Sequence, residues 1–184
     1  MRYQVCYCDV PWMYRNVKTG GSMLSGAAAK YKTISTDKLC TLDVQKVMDK
    51  NSVLFFWTTV PMFEDALRIM HAWGYQYKSL WTWRKIMSLG MGFWARIQTE
   101  HLILGIHGKV KAFRCQRPNF IQTKALRHSH KPPEFRQLID VAVKDMGPKL
   151  ELFSTEKDVP GWTTIGFEAN GQDVFEYIEK FDTL

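Results

Sequence analysis

Residues Val5 to Trp12 read Val-Cys-Tyr-Cys-Asp-Val-Pro-Trp, an apolar run that stops abruptly at a charge and a proline. A short run rich in strand-formers is a buried β-strand, and here its carboxyl end opens straight into a loop. Ligands of open α/β sheets bind at that end of the strands. Asp9 can accept a hydrogen bond from an amino group, and the carbonyl of Val10 can accept a second. Pro11 stiffens the turn and keeps Val10 extended, while Trp12 offers a flat face for a base. Together the four suit an exocyclic NH2 on a planar ring. Aspartate ahead of proline is also a common turn starter, so a purely structural role stays open.

The segments that follow alternate between strand and helix patterns. Tyr14 to Lys32 carries Gly20, Gly21 and Gly26 without a period and reads as a long loop. Thr36 can cap a helix running to about Lys50, and Ser52 to Thr58 is a continuous apolar strand. Pro61 and Gly74 bracket a helix with Met62, Ala66, Ile69, Met70 and Trp73 at helical spacing. Tyr75 to Lys85 and Thr99 to Ile106 suggest an antiparallel hairpin at the sheet edge. Phe113 to His130 has no regular period and reads as a second loop. Pro132-Pro133 starts a helix that Gly147-Pro148 stops. Strands at Lys149 to Phe153 and Thr164 to Phe167 and a helix from Gln172 to Phe181 close the chain. This succession predicts an α/β fold, mostly parallel, with helices on both faces and one domain over residues 1–184.

Charge separates along the chain. Between Ala66 and Pro133 twelve Lys or Arg face a lone acid, Glu100, so this block is +11 within a chain of net +7. Such segregation, interleaved with Trp81, Trp83, Phe93, Trp94 and Phe113, marks a face for a polyanion. Glu100 begins a strand and can line a pocket or simply pair a neighbouring cation. Cys6, Cys8, Cys40 and Cys115 show no C-x-x-C spacing, so they read as reduced structural thiols and no metal site is expected. No apolar stretch approaches the roughly 20 residues needed to cross a bilayer, and the N-terminus lacks a signal-peptide layout, which predicts a cytoplasmic protein with no membrane partner. No glycine-rich phosphate cradle is present, which counts against a dinucleotide or ATP.

The tetrad Asp9-Val10-Pro11-Trp12 resembles the D-P-P-W signature of S-adenosylmethionine-dependent adenine amino-methyltransferases, the family of the catalytic subunit of the mRNA adenosine methyltransferase and of bacterial and phage DNA adenine methyltransferases. Further similar motifs follow in the family's order: Tyr31-x-Thr33-Ile34-Ser35, Leu54-Phe55-Phe56-Trp57, Gly92-x-Trp94, Glu100-His101-x-x-x-Gly105, Ser129-His130-Lys131-Pro132-x-Glu134 and Glu151-Leu152-Phe153. The resemblance runs from the N-terminus to about Glu168. It implies a Rossmann-like methyltransferase fold in which the acceptor-side tetrad precedes the cofactor-side strand, a permuted motif order.

The resemblance also implies roles. Asp9, Val10, Pro11 and Trp12 would be catalytic. Cys8, Asp9, Lys131, Phe153, Ser154, Thr155 and Glu168 would bind S-adenosylmethionine, with Glu168 at the end of a strand placed to take ribose hydroxyls. Tyr31, Trp57, Trp94, Glu100, Arg114, Arg117, Lys124, Arg127, His130 and Lys131 would face the substrate. Tyr31 can equally anchor its loop, and Lys131 can simply pair Asp9. The implied reaction is direct transfer of the sulfonium methyl to the N6 amine of adenine in nucleic acid, with DNA favoured over RNA and a homo- or heterodimer left open. Two departures are Val10, where the family has proline, and Phe167, where it has a polar residue. An inactive scaffold subunit and an enzyme for cytosine or a protein amide are the competing readings.

Overall fold

A computed structural model of the chain describes residues 1–14, 33–86, 94–113, 117–124 and 130–183. One seven-stranded sheet runs through them. Its strands are β1 (Tyr3–Cys8), β2 (Met48–Thr59), β3 (Gln76–Ile86), β4 (Thr99–His107), β5 (Phe120–Lys124), β6 (Lys149–Leu152) and β7 (Trp162–Ile165). The spatial order is β5-β3-β4-β2-β1-β6-β7. β1 pairs in parallel with β2 and β6, β6 with β7, and β3 with β5, while β4 is antiparallel to both β2 and β3. β4 alone therefore runs against the other six strands. The tip of β1, where Asp9 leaves the sheet, lies between β2 and β6.

Strand alternation sorts the core into two layers. Cys6, Cys8, Leu54, Phe56 and Ile103 face one side, covered by α1 (Thr36–Cys40), α2 (Phe63–Ala72) and α5 (Val174–Lys180). Val5, Tyr7, Phe55, Trp57, Trp83 and Leu102 face the other, covered by Phe135, Leu138 and Ile139 of α3 (Pro133–Ala142). Helices thus lie on both faces, as expected of a Rossmann-like methyltransferase fold. Cys6 and Cys8 share the first layer, fully buried, and burial pushes both thiols upward in pKa.

Several element bounds differ from the sequence reading. The helix expected from Thr36 to Lys50 is only α1, capped by Ser35, whose side chain accepts from Lys38 N–H, followed by a 3-10 turn at Val44–Lys46. β2 claims Met48 onward because Tyr3 pairs with Met48, and the apolar Val44 and Val47 are buried without a helix. The β3–β4 pair is antiparallel but not at the edge, because β5 lies outside β3. β5 falls inside the stretch read as a loop; its residues are exposed or half-buried in alternation, so little hydrophobic periodicity advertised it. α3 stops at Ala142, short of Met146, and α5 is capped by Asp173. β7 ends at Ile165, which moves Glu168 from a strand end into the first turn of a short helix, α4 (Phe167–Asn170).

Candidate active site

The carboxyl ends of six strands and the beginning of β4 share one rim of the sheet. Asp9 follows β1, Thr59 ends β2, Lys85 lies near the end of β3, and Glu100 lies near the start of β4, paired with Thr59 and opposite Trp83. Glu100 has the parity of Leu102, and Lys85 that of Trp83, so both project to the α3 side of the sheet, as Asp9 does two residues beyond Tyr7. Lys131, two residues before α3, meets them there. Its ammonium lies 2.8 Å from Asp9 Oδ2 and 3.0 Å from Glu100 Oε2, and 5.2 Å above the ring of Trp57. Lys85 donates to the other oxygen of Glu100 and covers the Trp83 ring.

Four charges, two of each sign, thus lie in a row largely out of water. The side chains of Glu100 and Lys131 are 13% and 16% exposed, whereas Asp9 keeps 30% of its surface open. Burial raises the Asp9 carboxyl above its ordinary pKa, and Lys131 offsets only part of that. Burial works against the Glu100 carboxylate too, but Lys131 and Lys85 outweigh it and hold Glu100 below its ordinary value. For Lys131 burial favours the neutral amine, and the two carboxylates overcome it, so its pKa is raised. Beside them the Tyr14 hydroxyl bonds Thr59 Oγ1 at 3.1 Å, and burial raises its pKa.

These groups line one end of a cleft of about 1460 Å³ that continues over the tips of β6 and β7. There the backbone forms a tight cradle. Phe153 leaves β6 with φ 58°, a left-handed conformation costly for a non-glycine residue. Ser154 N–H then donates to Ile165 O at 3.0 Å, and a Cβ on Gly166 would sit 2.3 Å from Ser154 O. Only glycine lets the two turns approach so closely. Thr155, Glu168 and an exposed Phe167 also line this end. On the α3 side Arg136 pairs Glu151 at 2.7 Å and Glu156 at 3.5 Å, and burial still raises the pKa of Glu151.

Of the residues singled out in the sequence, Asp9, Val10, Pro11, Trp12, Glu100, His130, Lys131, Phe153, Ser154, Thr155 and Glu168 line this one cleft. Trp12 does so mostly buried, at 6% exposure, with its ring 5.7 Å from Phe56, so little of its flat face is open. Two other residues lie with their side chains away from its open surface. Trp57 is fully buried and donates its indole N–H to the Tyr7 hydroxyl at 2.7 Å, which leaves no surface for a substrate. The Cys8 side chain is likewise buried in the layer opposite Lys131 and absent from the cleft lining. Trp94 is fully exposed, and Arg117 and Lys124 are exposed away from the cleft, Lys124 at the end of β5 on the same rim. Tyr31, Arg114 and Arg127 lie outside the described residues. Tyr14, Lys85, Arg136 and Glu151 went unassigned in the sequence, although Trp81-x-Trp83-x-Lys85 already put Lys85 on the buried face of its strand.

The arrangement offers a carboxylate for an amine, a buried cation beside it, and a backbone cradle with an acid for a nucleoside-like group. The sequence matches the MT-A70 family model over residues 3–168. It is also similar to the type II methyltransferase M.MunI of a Mycoplasma species, 31% identical over 192 aligned residues that cover 91% of this chain and 78% of that protein.

Proposed function

The chain belongs to the MT-A70 family and is an S-adenosylmethionine-dependent adenine methyltransferase acting on nucleic acid; we propose that its substrate is DNA, and that Asp9 and the Val10 carbonyl grip the N6 amine of an adenine in the cleft. The observation that carries this is the placement of Asp9, partly open, at the tip of a central strand in a cleft larger than one small ligand needs. A cofactor and an extruded base can occupy it together.

The cradle fits S-adenosylmethionine. Phe153, Ser154 and Thr155 with Gly166 shape a backbone surface that a Cβ would fill, and Glu168 adds a carboxylate able to accept from ribose hydroxyls. When bound, the cofactor supplies a methyl group already activated on a sulfonium. The protein's part is orientation and electrostatics. The amine lone pair is delocalised into the purine, and hydrogen bonds from both N–H groups to Asp9 and the Val10 carbonyl favour a pyramidal nitrogen with its lone pair free. Lys131 favours the ionised form of Asp9 against burial, and Tyr14 with Thr59 walls the acceptor side. The exposed Trp94, Arg117 and Lys124 contact the nucleic acid, and Trp94 is assigned to that role in preference to a dimer interface.

The similarity to a type II methyltransferase supports the choice of DNA over RNA. The deciding experiment incubates the protein and cofactor with DNA and, separately, RNA, and resolves the nucleosides by mass spectrometry. N6-methyldeoxyadenosine is expected. Methylation of RNA alone would overturn the choice of DNA, and an unmodified product in both would remove the mechanism.

A further inference from the structure

Lys131 is not a simple partner of Asp9. Its ammonium is shared almost equally, 2.8 Å from Asp9 and 3.0 Å from Glu100, and Glu100 is itself shared with Lys85. The row crosses β1, β4 and β3 and the segment before α3, so four separate elements converge on it. Two residues in it, Lys85 and Glu100, stand away from Asp9, the group that would meet an amine. Building them there leaves four charges largely desolvated, an arrangement that stability alone does not favour over apolar packing.

We infer that Glu100 and Lys85 are positioning residues that act on Asp9 through Lys131: Glu100 draws the ammonium away from Asp9, Lys85 limits that pull, and the balance sets how much of the Asp9 carboxylate is left for the acceptor amine. This rests on the role proposed for Asp9. An ammonium bound only to Asp9 would compete with the incoming N–H donors. An ammonium bound only to Glu100 would leave a largely desolvated Asp9 that more readily takes a proton and then accepts the amine N–H less well. Among the described residues, the charged groups near Asp9 are Lys131 from the segment before α3, Glu100 from β4 and Lys85 from β3; Tyr7 on β1 and Tyr14 in the following loop add neutral hydroxyls that also sense Asp9.

The row predicts opposite effects from two substitutions. Glu100→Gln removes a negative neighbour and releases Lys131 to Asp9, so Asp9 holds its charge to lower pH. Lys85→Met leaves Glu100 to Lys131 alone and weakens its hold on Asp9, so Asp9 is protonated at higher pH. Each change removes a charge-assisted contact from the balance, and kcat at neutral pH should fall roughly tenfold to a hundredfold with KM for cofactor nearly unchanged. Lys85→Arg, which keeps the cation, should recover most of the rate.

The test measures kcat against pH for the wild-type protein and the three variants on adenine-containing DNA, with S-adenosylmethionine binding followed by calorimetry. Acid limbs displaced in opposite directions for Glu100→Gln and Lys85→Met support the coupling. Limbs that stay put or move together, or a lost rate traced wholly to KM, would overturn it while the wild-type activity keeps the Asp9 mechanism intact. A wild-type protein that methylates no adenine would overturn both. Should Glu100→Gln fail to fold, the partly exposed Lys85 decides the matter through Met against Arg.

Discussion

The indole N–H of Trp57 points at the Tyr7 hydroxyl, 2.7 Å away, across the neighbouring strands β1 and β2. The Phe135 ring meets Trp57 edge-on at 4.8 Å, and Lys131 lies over its face. Trp57 is therefore the floor on which the charged row stands. Trp57→Phe leaves a buried hydroxyl without its donor and should cost about 1–2 kcal/mol in urea denaturation; Trp57→Ala opens a cavity and should cost about 3–5 kcal/mol. Unaltered stability of Trp57→Ala would contradict this placement. KM for DNA should not change in the Phe variant.

Asp9→Asn keeps the shape of the side chain and loses its charge. Methyl transfer should fall at least a hundredfold, on the order of an oxyanion-hole-type loss, while cofactor affinity by calorimetry stays within a few-fold. In the wild-type protein the carboxylate is the working form, and burial holds its pKa above the ordinary 3.8. Activity should thus be lost as pH falls through a value above 3.8, and a kcat profile flat down to that pH would count against the assignment.

Gly166→Ala places a methyl 2.3 Å from Ser154 O and 2.8 Å from Ser154 N, both backbone atoms that cannot swing aside. The cradle must open, and S-adenosylmethionine binding should weaken at least tenfold, roughly the effect of losing one good hydrogen bond. Gly171→Ala is the control. Its φ of +76° makes alanine strained, at about 1 kcal/mol, yet nothing lies within 4 Å of the added atom. Its stability should drop with cofactor affinity unchanged.

Glu100 also links stability to pH. Its carboxyl is held below the ordinary 4.5, so its charged form stabilises the fold above that pH, and the contribution disappears as pH falls through the folded value. The gap in Tm between the wild-type protein and Glu100→Gln should be largest near neutrality and close on acidification below 4.5. A gap independent of pH would mean that Glu100 acts through packing.

Arg117 and Lys124 are exposed outside the cleft, where a phosphate backbone can reach them. Arg117→Ala and Lys124→Ala should each weaken DNA binding irrespective of sequence and lower the slope of log K against log salt by about 0.9, the value for one released counterion. Fluorescence anisotropy over a salt series checks this, and slopes equal to the wild type would remove both from the interface.

Much of the site was legible before any coordinates, for physical reasons that differ by residue. Asp9 to Pro11 announced themselves because a charge and a proline end an apolar strand, and Glu100 because it is the lone acid among twelve cations. Lys131 came from its motif. Its bridging position did not, because nothing local to it encodes the distance to β4. The burial of Trp57 is not legible, because an aromatic in a strand reads alike whether it faces a ligand or a helix; the register that buries it under Phe135 is a long-range property. β5 was missed because an edge strand with few buried side chains carries almost no periodic signal and owes its form to pairing with β3. The helix read from Thr36 to Lys50 failed where pairing with Tyr3 outcompeted local propensity.

The single reversed strand has a further consequence. Because β4 begins where its neighbours finish, the connection from Ile86 to Thr99 both departs from and returns to the lip on which Asp9 sits. A change of length or charge confined to that connection reaches the lip without altering the register of the parallel half, β1, β2, β6 and β7, that carries Asp9 and the turns at Ser154 and Gly166. The edge beside Asp9 can thereby vary while the packed strands behind it stay fixed.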